Sequence, residues 1–113
     1  MTIAEIVQAV NGTIAAGDGE ERDVAYGFSS DLMSDVLTVM QDNVLLITGL
    51  ANLQTVRTAT MADIQTILLV RNKRATSDMK AAAEENEVVL METSYSMFRT
   101  SGILYGAGLK AVF

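Results

Sequence analysis

Three uninterrupted apolar runs, Asn43 to Ile47 (NVLLI), Thr66 to Val70 (TILLV) and Glu87 to Met91 (EVVLM), begin 23 and 21 residues apart. Runs without polar alternation suit strands buried on both faces of a parallel sheet, and the intervals leave room for one crossover helix each. The intervening segments carry the matching helical period. Leu32, Met33, Val36, Leu37 and Met40 form a strong apolar face. Met79, Ala82 and Ala83 form a second, and Met97, Phe98, Ser101, Leu104 and Tyr105 a third. Residues 53 to 62 predict a weaker helix, because four Thr residues between positions 55 and 66 lower its propensity.

Upstream, Ile3, Ile6, Val7 and Val10 share one helical face, and Thr2 with Glu5 fits a capping box, so residues 2 to 10 predict a helix. After Asn11-Gly12 come two short strand candidates, Thr13 to Ala16 and Val24 to Phe28, joined by GDGEERD, which reads as a solvated, acidic loop. A last short strand is expected over Leu109 to Phe113. The whole chain, 1–113, then forms a single α/β domain: a mostly parallel sheet of about four to six strands with helices on both faces. No internal linker interrupts it.

Composition narrows the chemistry. The chain has no Cys and no His, which removes disulfides, thiolate metal sites, the common metal ligand and the base of nucleophilic triads. The net charge of −6 repels nucleic acid and anionic membranes, and aromatic residues make up only 5%, leaving few stacking platforms. Neither nucleic acid nor membrane is an expected partner, and no cofactor is expected. No apolar run approaches the ~18 residues needed to span a bilayer, and MTIAEIVQAV lacks the features of a signal peptide; a cytoplasmic location is the expectation.

In open parallel sheets ligands gather beyond the carboxyl ends of the strands, where helix N-termini present free N–H groups. The residues following the predicted strands are Ser29-Ser30-Asp31, Thr48-Gly49 with Asn52, Arg71-Asn72-Lys73-Arg74 with Thr76-Ser77, and Thr93-Ser94-Tyr95. Two readings of them stand side by side. Ser, Thr, Asn and Asp are the preferred caps of any helix, and capping accounts for most of these positions. Alternatively they line a ligand site. Three of the eight cations lie between positions 71 and 74, so a phosphate or carboxylate would be held there. The candidate ligand-binding residues are Ser29, Ser30, Thr48, Gly49, Asn52, Arg71, Lys73, Arg74, Thr93 and Ser94. The Gly49 turn is neither a P-loop nor a dinucleotide fingerprint, since the spaced glycines and the Lys-Ser/Thr ending are missing.

Other clusters carry less. Asp31 and Asp35 fall four apart on the predicted helix, with Asp31 satisfied by the helix dipole in the first turn. Glu84, Glu85 and Glu87 read as a helix end and its solvated rim. The seven Met residues read as adaptable core, or in part as a partner surface, and SGILYGAGLKAVF is apolar and Gly-rich enough for a subunit contact.

The order of elements and the phrases GFSSDLMSDVL, VLLITGLANLQTVRTATMADIQTILLV, TSDMKAAAEEN and ETSYSMFRTSGILYGAGL resemble the DRTGG domain over nearly the whole chain. That resemblance implies an α/β module similar to the N-terminal domain of HPr kinase/phosphorylase, to regions of phosphotransacetylases and to the insert between the CBS domains of some pyrophosphatases. Free-standing copies accompany iron hydrogenase and related redox subunits. Gly49 matches the family's Gly-Asp-Arg turn, but Leu50 and Ala51 replace the charged pair; Val70-Arg71-Asn72 stands where the family has Thr-Gly-Gly. Thr93, Ser96, Phe98 and Thr100 fit the family's final strand-to-helix turn.

Together these readings lead to a non-catalytic regulatory or assembly module, homodimeric, sensing a small anion or nucleotide at the strand ends. The alternatives are a structural accessory of a hydrogenase or other redox complex, and an enzyme working without His or Cys.

Overall fold

The computed structural model describes residues 1–113. Its elements follow in the order α1 (Ile3–Ala9), β1 (Thr13–Ala16), β2 (Tyr26–Ser29), α2 (Met33–Val36), β3 (Val44–Thr48), α3 (Leu53–Met61), β4 (Thr66–Leu69), α4 (Ser77–Glu85), β5 (Val89–Glu92), α5 (Met97–Gly106) and β6 (Lys110–Ala111). They build one six-stranded sheet in the order β1-β5-β4-β3-β2-β6. Only β1 runs antiparallel, against β5; β2 to β6 are mutually parallel. The fold is α/β, as the apolar runs and their spacing imply.

The three runs are continuous because both faces of these strands are covered. On one face Leu46, Ile67, Leu69 and Leu90 pack under Val36 and Val39, Val56 and Ala59, and Met79 and Ala83. On the other, Leu45, Ile47, Leu68, Val70, Val89 and Met91 pack under Ile3, Ile6 and Val10 of the α1 segment and Leu104 of α5. Helices α2, α3 and α4 therefore share a face, and α1 and α5 share the opposite one. Right-handed crossovers require this division. The chain steps from β2 to β5 in one direction, then returns through α5 to the far edge at β6.

Sequence and structure agree on most elements, with boundaries moved by one to two residues; β2 starts at Tyr26 rather than Val24, and β5 at Val89 rather than Glu87. The Thr2–Glu5 capping box forms as expected. Hydrogen bonds from the backbone N–H of Thr2, and then from its side chain, hold the Glu5 carboxyl below its ordinary value. A depressed carboxyl stabilises the fold above its unfolded value, so this contribution fades as pH falls through the acid range.

The second helix is the main departure. The face of Leu32, Met33, Val36, Leu37 and Met40 is periodic enough for three turns, yet α2 has four residues. Past Val36 the chain tightens, with Thr38 N–H donating to Asp35 O and Val39 N–H to Val36 O. The Thr38 hydroxyl also donates to Asp35 O, at 2.6 Å. This tightening turns Val39, not Met40, into the core; Leu32, Leu37 and Met40 stay exposed. Phe98 and Tyr105, expected on the packed face of α5, are exposed as well. Among the Met residues, Met79 and Met91 are fully buried and Met40 and Met61 lie on the surface. The loop GDGEERD is not only solvated: Arg22 reaches across it to the carbonyls of Gln65 and Glu87 at 3.2 and 3.3 Å.

These placements separate two substitutions in urea denaturation. Leu46→Ala, in the centre of the sheet, should cost about 2–5 kcal/mol. Met40→Ser should change stability by less than about 0.5 kcal/mol; a loss of several kcal/mol would return Met40 to the core.

Candidate functional site

Every parallel strand ends on the same edge of the sheet, and the loops after β2, β3, β4 and β5 meet there. The chain leaves β4 toward α4 on one face and leaves β5 toward α5 on the other. The topological switch point, where open α/β sheets place their ligand crevice, therefore lies between the loops 70–76 and 93–96. This is where the basic cluster, Thr93 and Ser94 come together. The crevice is closed by the chain itself.

Loop 70–73 is a tight turn in which Arg71 and Asn72 both have left-handed backbones, at φ 58° and 61°, and Lys73 N–H returns to Val70 O at 3.2 Å. Positive φ at both central positions defines a type I′ turn. Its two central N–H groups face the neighbouring loop: Arg71 donates to Tyr95 O at 2.7 Å and Asn72 to Thr93 O at 3.0 Å. At the next step Glu92, the last residue of β5, is nearly buried. One carboxylate oxygen accepts from Arg74 Nη1 at 3.1 Å and the other from Ala75 N–H at 2.7 Å. Arg74 also reaches Asn72 Oδ1. Of the three cations, Arg74 is thus engaged, while Arg71 and Lys73 form no ion pair.

The turn after β3 has the same character. Asp31 sits before α2, not in its first turn, and its Oδ1 accepts from Thr48 Oγ1 at 2.9 Å and from Gly49 N–H at 2.7 Å. Thr48 Oγ1 in turn accepts from Leu50 N–H. Asn52 caps α3 by accepting from Thr55 N–H at 3.1 Å. The N–H that an external anion would use at this turn already holds an internal carboxylate. The helix dipole is not what satisfies Asp31.

The remaining candidates divide between caps, ties and one opening. Ser30 Oγ accepts from Leu32 N–H. Thr93 is buried and donates to Val10 O at 2.7 Å, anchoring α1 to the sheet edge, while Ser94 is exposed. Thr76 and Ser96 cap α4 and α5. Thr100, at the final turn, is fully buried with no partner for its hydroxyl, and Arg99 lies over the Tyr95 ring at 3.7 Å. Ser29 behaves differently: its Oγ is 2.7 Å from Ser101 Oγ of α5. This pair stands over a hollow of about 200 Å³ bounded by Gly27, Ile47, Leu104, Tyr105, Leu109 and the main chain of β6. Lys110 also lines it, from the edge strand, with its Cα in register with Tyr26.

A larger concavity of about 660 Å³, lined by Gly17, Asp18, Arg22, Glu84 and Glu87, opens away from the carboxyl edge. It has no apolar wall, and its Glu residues form the solvated rim expected of them. The residues that sequence reading overlooked are Asp31 in its bridging role, Glu92, and Ser101 with Tyr105. A signal existed for Glu92: it is the one acid directly following the apolar run VVLM.

The closure can be tested by urea denaturation. Glu92→Ala leaves the Ala75 N–H without its acceptor and should cost about 1–3 kcal/mol. Arg74→Ala leaves the nearly buried Glu92 carboxylate without its cation, though the Ala75 N–H still holds it, and should cost about 1–3 kcal/mol as well. Arg71→Gly relieves a left-handed backbone at the expense of chain entropy and should stabilise by roughly 0.5–1 kcal/mol; destabilisation would contradict the turn assignment.

Comparison with known proteins places this architecture. The sequence matches the model of the DRTGG domain over residues 5–107. No curated protein sequence matches it significantly. Among solved structures, it is similar to the CBS and DRTGG domains of the regulatory region of Clostridium perfringens pyrophosphatase, complexed with the activator diadenosine tetraphosphate. The likeness has a TM-score of 0.73 at 8% identity and covers 91% of this chain, which spans only 45% of that one. With the family model covering nearly its full length, the chain belongs to the DRTGG domain family.

Proposed function

We propose that this chain is a non-catalytic regulatory module that works by binding, altering the behaviour of a partner protein in response to a small ligand, and that the ligand is a nucleotide. The observation that carries this reading is the fold it shares with the regulatory region of a pyrophosphatase that was solved with a nucleotide activator. The disposition of polar groups supports it. Asp31, Thr48, Glu92, Arg74 and Thr93 are tied to one another or to the backbone, which suits a rigid scaffold better than a set of reacting groups. Arg71 and Lys73, without carboxylate partners, remain available to a phosphate.

Self-association is the second part of the reading. Phe98 is 91% exposed on α5, and a Cβ added to Gly102 or Gly106 would meet nothing within 4 Å. Each glycine costs a helix about 0.5–1 kcal/mol relative to Ala. Nothing within the chain requires them, whereas close approach of a second copy would.

Thermal unfolding with adenine nucleotides, diadenosine tetraphosphate, acetyl phosphate and phosphate tests the first part. A nucleotide at about 100 times its Kd should add about 2.7 kcal/mol and raise Tm by several degrees. The double replacement Arg71→Ala with Lys73→Ala should weaken nucleotides more than nucleosides. No shift with any nucleotide at millimolar concentration would contradict ligand sensing. For self-association, sedimentation equilibrium should give a dimer that Phe98→Asp converts to monomer; a monomeric wild type would contradict it.

A further inference from the structure

We infer that the hollow between β2, β6 and α5 binds a planar, uncharged heteroaromatic ring: the base of a nucleoside. This rests on the nucleotide-sensing reading and moves its centre away from the basic turn. Ile47, Leu104 and Leu109 give the hollow a buried apolar floor. At about 200 Å³ it is smaller than the roughly 300–1,000 Å³ pockets that enclose drug-sized ligands, and it suits one ring system rather than a whole nucleotide. Its space originates at Gly27, where a Cβ would already press to 3.0 Å from Leu109 Cδ2.

The polar groups around this floor are neutral and of both kinds. In the Ser29–Ser101 pair either hydroxyl can be the donor, and whichever accepts keeps its own O–H free, so the pair offers one donor beside lone pairs on both oxygens. Because β6 pairs only with Tyr26 and Gly27, the edge of β2 at Phe28 and Ser29 carries main-chain groups beyond the reach of a strand partner. A base edge, with its donors and acceptors in one plane, complements such a set. Tyr105, 71% exposed, stands at the rim and offers an aromatic face on which a base can stack. No carboxylate lines the hollow, and its one charged lining residue, Lys110, is exposed on the edge strand β6. The buried apolar floor and the neutral hydroxyls match a base rather than a free anion, and a nucleotide would leave its phosphates outside.

The experiment is a titration of the ¹⁵N-labelled full chain with adenosine, uridine, their 5′-monophosphates and ribose, followed amide by amide. Either nucleoside, but not ribose, should shift Gly27, Ser29, Ser101 and Leu109. Tyr105→Phe should bind as wild type, and Tyr105→Ala about five- to tenfold more weakly. Ser101→Leu, which fills the hollow, should abolish the response while an unchanged amide spectrum elsewhere reports an intact fold. Shifts confined to residues 71–74 would overturn this inference and leave ligand sensing standing. An equal response to ribose would overturn the base assignment. Silence toward every nucleoside and nucleotide would remove both readings.

Discussion

A parallel sheet covered on both faces cannot leave polar groups at its carboxyl edge unsatisfied, because the loops there lie against the core and partly out of water. In this chain two carboxylates meet that constraint. Asp31 takes the Gly49 N–H and the Thr48 hydroxyl after β3, and Glu92 takes the Ala75 N–H and the Arg74 guanidinium between β4 and β5. Each carboxylate thus engages a main-chain N–H at the carboxyl edge, while Arg71 and Lys73 form no ion pair.

The constraint also gives the turn after β4 its form. Type I′ geometry directs the N–H groups of Arg71 and Asn72 at the carbonyls of Tyr95 and Thr93, which locks the β4 and β5 loops together. That geometry demands positive φ at two consecutive residues, the condition glycine meets without strain. Asn72 tolerates the left-handed region, and Arg71 accepts strain there. A cation is thereby fixed at the tip of a rigid turn, where its charge faces solvent.

Much of the fold was legible because its strongest signal is simple. The VLLI of NVLLI, TILLV and the VVLM of EVVLM are buried on both faces, and no other element type suits such short, evenly spaced runs. The caps Thr2, Asn52 and Thr76 were equally plain, each preceding a periodic segment. The α2 segment misled because its periodicity is real but its backbone turns after Val36, a consequence of local hydrogen bonds that hydropathy does not encode. The edge was only partly legible. Sequence placed Thr48, Gly49, Arg71 and Thr93 on one side of the sheet, yet their availability depends on partners 17 to 83 residues away, such as Asp31 with Thr48 and Val10 with Thr93. The hollow at Ser29 was invisible as a cavity, since it arises where α5 returns across the sheet to β6.

The central claim is that internal carboxylates occupy main-chain N–H groups of the carboxyl edge, and amide hydrogen exchange tests it most directly. In the unliganded protein the amides of Gly49 and Ala75 should exchange slowly, with the amides of β3 and β4, because each donates to a carboxylate at 2.7 Å. Exchange of these two amides at the rate of an unstructured peptide would mean that the edge is open, and would contradict the account.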